Sequence, residues 1–179
     1  PDPDRVIRVG VLSNEFRRHA VATFIEPWIA NHDRGSQELV CYSVSSRADE
    51  TTARFRAAVP SWVDASSLTS PQLMDRIRAD RIDVLIETTG LNQGHRMGTL
   101  WMKPAPVQAT LIGYLNTTGL SRIDYRIVDA HTDPPGAEAY SAEKLVRLDP
   151  TYLCYRPPDD APDVRPRDEP HIGPVAAGR

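Results

Sequence analysis

Glu15 and His19 have the residue types and the spacing for proton transfer. They stand four apart in Ser13-Asn14-Glu15-Phe16-Arg17-Arg18-His19. On a helical turn that spacing puts carboxylate and imidazole on one face. A carboxylate beside an imidazole raises the pKa of the ring, which suits proton exchange near neutral pH. A surface histidine behind a glutamate drawn to a helix start would show the same pattern. Arg17 and Arg18 offer guanidinium groups to a phosphate, or form a solvated loop edge. Two more polar runs carry candidate chemistry. Thr88-Thr89-Gly90 and Gly94-His95-Arg96 make a lip of the kind that binds ligands where a strand ends and a helix begins. Gly113-Tyr114-Leu115-Asn116-Thr117-Thr118-Gly119 offers hydroxyls, an amide and backbone N–H groups, suited to sugar hydroxyls or to another polar ligand. Turn chemistry alone accounts for either run. Asp124 and Asp129 read as turn residues, and His131 and His171 have no partners nearby in sequence.

These runs share one position in the pattern of elements. Val6 to Leu12 is a near-continuous apolar run, as in a strand buried on both faces of a parallel sheet. A helix over Ala22 to Asn31 follows, with Phe24, Ile25, Trp28 and Ile29 on one stripe. Glu38 to Val44, Ile82 to Glu87, Val107 to Tyr114 and Ile123 to Asp129 read as further strands. Ser61 to Asp64 reads as a short strand or turn, and Glu143 to Leu148 as a short edge strand or loop. Helices are predicted over Asp49 to Ala58, over Gln72 to Asp80 behind a Ser70-Pro71 cap, and over His95 to Met102. Strands alternating with helices predict an α/β fold, a Rossmann-like α/β/α sandwich with a mostly parallel sheet. The three polar runs then fall at strand ends on one edge of that sheet, where such folds bind ligands. No G-x-G-x-x-G fingerprint and no Walker motif is present, which argues against a dinucleotide or ATP site of those types.

Composition sets the outer bounds. The chain has 179 residues, enough for one domain with a real core. A net charge of −3 argues against a chain-wide grip on nucleic acid. No apolar run reaches the roughly 18 residues of a membrane span, and no signal peptide is visible. Cys41 and Cys154 lie in apolar or aromatic stretches and read as buried free thiols of a reducing, cytoplasmic compartment. Neither has a second cysteine at a metal-type spacing, so no metal is expected. Residues 1–155 read as the folded lobe, and the Pro-, Asp- and Arg-rich 156–179 as a linker.

RVGVLSNEFRRHAVATFIEP, then KPAPVQATLIGYLNTTG, DYRIVDAHTDPP and YSAEKLVRL, in that order, resemble the O-GlcNAc transferases of glycosyltransferase family 41. That family includes tetratricopeptide-repeat proteins, bacterial homologues and the plant SPINDLY type. The resemblance implies the N-terminal catalytic lobe of a GT-B fold, with repeats before it and a UDP-binding lobe after it. It implies an inverting enzyme that moves N-acetylglucosamine from UDP-GlcNAc to Ser or Thr of an acceptor protein, with no cofactor. The lobe alone is then expected to be inactive. Carried over by position, the resemblance makes His19 and Glu15 the candidates for proton handling. It places Arg18, Val21, Gly90, Arg96, Ile112, Gly113, Tyr114, Thr117 and Thr118 among the substrate contacts. Three departures stand out: Glu15 replaces the family Asp, Ala20 the family Pro, and Leu115-Asn116 the family Pro-Gly. The extra methylene of Glu15 moves its carboxylate by about an ångström, enough to misplace a catalytic group. Another donor such as GDP-fucose, a small-molecule acceptor, or a non-catalytic domain that binds a protein partner stay open beside the main reading.

Overall fold

In a computed structural model, which describes residues 5–157 and 161, the strands Ile7–Ser13 (β1), Gln37–Ser43 (β2), Ser61–Asp64 (β3), Val84–Glu87 (β4), Val107–Leu111 (β5), Tyr125–Val128 (β6) and Lys144–Arg147 (β7) form one sheet. Its order is β3-β2-β1-β4-β5-β6-β7. Every neighbouring pair is parallel, so the sheet is wholly rather than mostly parallel. Strands step outward from β1 to β3, then the chain crosses back to put β4 on the other side of β1. The reversal between β1 and β4 is the topological switch point, where the loops leaving the carboxyl ends diverge and open a crevice.

Among the described residues, four α-helices cover the two faces: Ala20–Asn31 (α1), Glu50–Ala58 (α2), Ser70–Ala79 (α3) and Met97–Trp101 (α4). Strand side chains alternate between two cores. Val9, Val11, Leu39 and Cys41 pack under α1 and α2 with Ile25, Ile29 and Phe55. Leu12, Val40, Tyr42 and Leu85 pack on the opposite face with Leu73 and Ile77 of α3 and Leu100 of α4. This is the three-layer α/β/α sandwich expected from the alternating pattern.

The differences from the sequence reading have local causes. Helix α1 starts at Ala20 because His19 is its N-cap, and its buried stripe is Val21, Ala22, Ile25 and Ile29, leaving Phe24 and Trp28 half-buried. Thr69, not Ser70, caps α3, in a reciprocal pair with Gln72. The ring of Phe24 packs against Tyr155, centroids 5.9 Å apart, which draws the chain after β7 back to α1. Cys41 is buried, and burial pushes its thiol pKa up, whereas Cys154 is exposed, contrary to expectation. A single aromatic neighbour in sequence does not bury a residue on a segment beyond the last strand. The proposed linker over 156–179 lies almost wholly outside the described residues. Among the described residues, no helix is long and apolar enough to cross a membrane.

Candidate active site

The loop after β1 is pinned from three sides. Phe16 is fully buried, its ring 5.0 Å from that of Phe55 and 5.2 Å from that of Trp62. The Thr52 hydroxyl donates to the Phe16 carbonyl at 2.7 Å, and Asp49 accepts the Arg18 N–H at 2.7 Å. Asp49 and Thr52 also form the capping box of α2. The start of α2 therefore shapes the loop that carries His19.

Glu15 and His19 do not share a helical face. The helix begins after both, so the four-residue spacing that pairs side chains on a helix has no helix to act through. Glu15 is buried, at 3% exposure, and its carboxylate turns to the neighbouring loop. It accepts from the hydroxyls of Thr89 at 2.6 Å and Ser13 at 3.2 Å. His19 is exposed, and its Nδ1 accepts the Val21 N–H at 3.2 Å. A neutral ring bonded this way carries its proton on Nε2, the nitrogen left free for a ligand. His19 lines an open groove of about 710 Å³ with Arg18, Thr23, Glu26, Glu50 and Arg54. Val21 lies in the core under α1, so it contributes its backbone N–H and not its side chain.

The loop after β4 folds back on Glu87, the last residue of the strand. Both carboxylate oxygens accept backbone N–H groups, from Thr89 and from Gly90, each at 2.8 Å. Burial pushes the Glu87 carboxyl up to about 8; the N–H bonds of Gly90 and Thr89 pull it down, and the Glu15 charge adds to the rise. Gly90 takes a left-handed φ of +64°, and a Cβ there would lie 2.0 Å from the Cβ of Tyr114. Arg96 turns away from the other loops and donates to the Ser66 carbonyl at 3.2 Å.

The loop after β5 presses against the loop after β4. A Cβ on Gly113 would meet the Thr88 carbonyl oxygen at 1.8 Å, so only glycine permits that approach. Asn92 bridges the two loops through the Thr89 and Gly113 carbonyls. Ile112 holds a φ of +61°, a strained value for a β-branched residue and of the kind that gathers at functional sites. Tyr114 and Leu115 stand exposed above it. Thr117 and Thr118 point at Glu143 and not outward: their hydroxyls both donate to it, that of Thr117 at 2.7 Å, and the Thr118 N–H does so at 2.8 Å. Burial works to raise the Glu143 pKa, and the bonds from Thr118 and Thr117 more than offset it, so the group is held below its ordinary value.

Of the residues singled out from sequence, the structure thus gathers Glu15, Gly90, Gly113 and Tyr114 where three loops meet, with His19 at the end of the first. Asp129 is a turn residue as expected, accepting from His131, Thr132 and Thr151. Sequence reasoning missed Thr89 as a partner of Glu15, Glu87 as the anchor of its loop, and Glu143. A glutamate at a strand end within an otherwise apolar run is the signal that could have found Glu87.

A parallel sheet with a switch point between β1 and β4, flanked by three interlocked strand-end loops, defines an open α/β fold of the class that binds ligands at the carboxyl ends of its strands. The model of glycosyl transferase family 41 matches residues 2–156, and the chain belongs to that family. SPINDLY of Arabidopsis thaliana, described as a "probable UDP-N-acetylglucosamine–peptide N-acetylglucosaminyltransferase", is 41% identical over 169 residues, which are 92% of this chain and 18% of the relative. The SPINDLY protein of Solanum lycopersicum is 42% identical over 168 residues, with the same coverage. A mutant of the Thermobaculum terrenum O-GlcNAc transferase has the same fold, with a TM-score of 0.89 and 41% identity over 93% of this chain and 32% of that one. The chain thus spans less than a fifth of the length of these plant relatives.

Proposed function

We propose that this chain is the N-terminal catalytic lobe of a GT-B glycosyltransferase that transfers N-acetylglucosamine from UDP-GlcNAc to Ser or Thr of proteins, with inversion. The observation that carries the reading is the meeting of the three strand-end loops at the switch point of a family 41 chain. In such a transfer the acceptor oxygen attacks the anomeric carbon opposite the diphosphate. The hydroxyl proton passes to a water beside the acceptor oxygen, and the bond from the anomeric carbon to the diphosphate oxygen breaks, the electron pair leaving with the diphosphate. This lobe would present the acceptor side, with the Nε2–H of His19 placed to donate a hydrogen bond rather than to take the proton, and with the platform of Gly113 and Tyr114. A following lobe would hold the uridine and the diphosphate. Tetratricopeptide repeats before this lobe would present acceptor proteins, in the cytoplasm. The reaction needs no cofactor beyond the donor.

The test is mass spectrometry of acceptor proteins incubated with the intact protein and UDP-GlcNAc, with GDP-fucose in parallel. Addition of N-acetylhexosamine, reduced about 100-fold in His19→Ala, is the expected result. Addition of deoxyhexose alone would replace the donor. Donor or protein binding without any transfer would make the domain a non-catalytic one.

A further inference from the structure

Glu15 occupies the position of a carboxylate to which the family resemblance gives proton handling, yet its carboxylate is spent elsewhere. Its Oε2 accepts the Thr89 hydroxyl at 2.6 Å and the Ser13 hydroxyl at 3.2 Å. The Thr89 oxygen in turn accepts the Asn14 N–H at 3.0 Å, and the Ser13 oxygen accepts the Glu15 N–H at 2.9 Å. Each hydroxyl therefore donates one bond and accepts one. Ser13, Glu15 and Thr89 are each at most 3% exposed, so none of these bonds competes with bulk water. The Thr89 N–H is fixed on Glu87 at 2.8 Å, which ties the same residue to the end of β4. A second strap runs beside the first: the Asn14 amide donates to the Gln93 carbonyl at 3.2 Å. It lies where a Cβ on Gly94 would intrude to 2.7 Å.

We propose that Glu15 and Thr89 are positioning residues, a latch that sets the separation of the His19 loop from the Thr88–Gly94 loop, and that Glu15 takes no proton in the reaction. This inference rests on the transferase reading for its activity arm. Its chemistry is specific. The latch needs an acceptor at residue 15 and a group at residue 89 that both donates and accepts. A glutamine amide oxygen can receive both hydroxyls, so the latch survives Glu15→Gln. Valine at 89 can do neither task, and serine can do both. A proton acceptor at residue 15 would behave in the opposite way, since an amide cannot take a proton near neutral pH.

The experiment uses the intact protein carrying Glu15→Gln, Thr89→Val, Thr89→Ser, and the Glu15→Gln/Thr89→Val pair. Two readouts are taken: sugar transfer across pH, and amide hydrogen exchange over 13–19 and 88–94. The expected result is that Glu15→Gln keeps kcat within about threefold with the shape of its pH profile unchanged. Thr89→Val should lower kcat more than about tenfold and speed exchange in both segments, and Thr89→Ser should restore both. The double variant should be no worse than Thr89→Val alone, because the two residues act as one unit. A loss of about 100-fold in Glu15→Gln with exchange unchanged would overturn the proposal and return the proton to Glu15. Exchange over 13–19 that ignores Thr89→Val would overturn it as well. If the wild type transfers no sugar, the transferase reading falls, and the exchange measurements alone decide the latch.

Discussion

Glu143 stands one residue ahead of β7, at 3% exposure, and closes the loop after β5 from below. It gathers the Thr117 and Thr118 hydroxyls, the Thr118 N–H and the Ser141 hydroxyl. Glu143→Ala would leave those donors without their acceptor, and a stability loss of about 2 kcal/mol or more is expected in denaturant unfolding. Glu143→Gln keeps one acceptor oxygen and should lose less. Glu87 shows a different face of buried charge. Its carboxyl is raised from 4.5 to about 8, chiefly by burial. The folded state then holds a proton that the unfolded chain has already released, so stability falls as pH rises from about 4.5 to about 8. The steepest slope is about 1.4 kcal/mol per pH unit. Unfolding measured from pH 5 to 8 should show that decline in the wild type, and Glu87→Gln should flatten it. An equal slope in both proteins would place the titrating group elsewhere. At the acid end the sign reverses. Asp129 is held down to about 2, first by the Thr132 N–H bond, so its contribution is present above the unfolded carboxylate pKa and is lost as pH falls toward 2.

At the scale of elements, the site is a problem of loop spacing. The β4 and β5 loops can touch because two positions lack a Cβ. Gly90 lies over the Cβ of Tyr114, and Gly113 lies over the Thr88 carbonyl. The Gly113 contact is with backbone and has no rotamer to relieve it. Gly113→Ala is therefore expected to cost about 3 kcal/mol or to push the loops apart. Thermal unfolding gives the first outcome, and increased exchange over 88–94 gives the second. An unchanged melting temperature with unchanged exchange would mean that the loops do not meet as described. The loop after β1 is held differently, by the buried ring of Phe16 and by Asp49 and Thr52 of the α2 cap. One helix start thus does two tasks, ending its own unpaired N–H groups and fixing the approach to α1.

At the scale of the molecule, Leu91, Tyr114 and Leu115 stand exposed on the loops that follow β4 and β5. On the transferase reading, the nucleotide belongs to the following lobe. Calorimetric titration of this chain alone with UDP and with UDP-GlcNAc should then give no saturable heat, whereas the intact protein should bind both. Saturable binding by the lobe alone would move the nucleotide contacts onto the carboxyl edge of this sheet.

The sequence by itself determined the layers and the strand ends at which the polar loops gather. Apolar runs such as Val6 to Leu12 and Ile82 to Glu87, each followed by a polar loop and a helix, leave few ways to bury their surfaces other than a parallel sheet between helices. The glycines and hydroxyls after those runs marked the sheet edge where the loops meet. Element ends came out within a few residues, because caps such as His19 and Thr69 depend on hydrogen bonds that period alone does not show. What only the tertiary structure decided is where each polar side chain spends its bonds. Glu15 lies four residues from His19 in the chain, yet it bonds Thr89, which is 74 residues away in sequence. Thr117 and Thr118 looked free for a ligand, yet Glu143 holds them from 26 and 25 residues away. A buried carboxylate must find donors wherever the fold brings them, and spacing along the chain carries no record of those meetings.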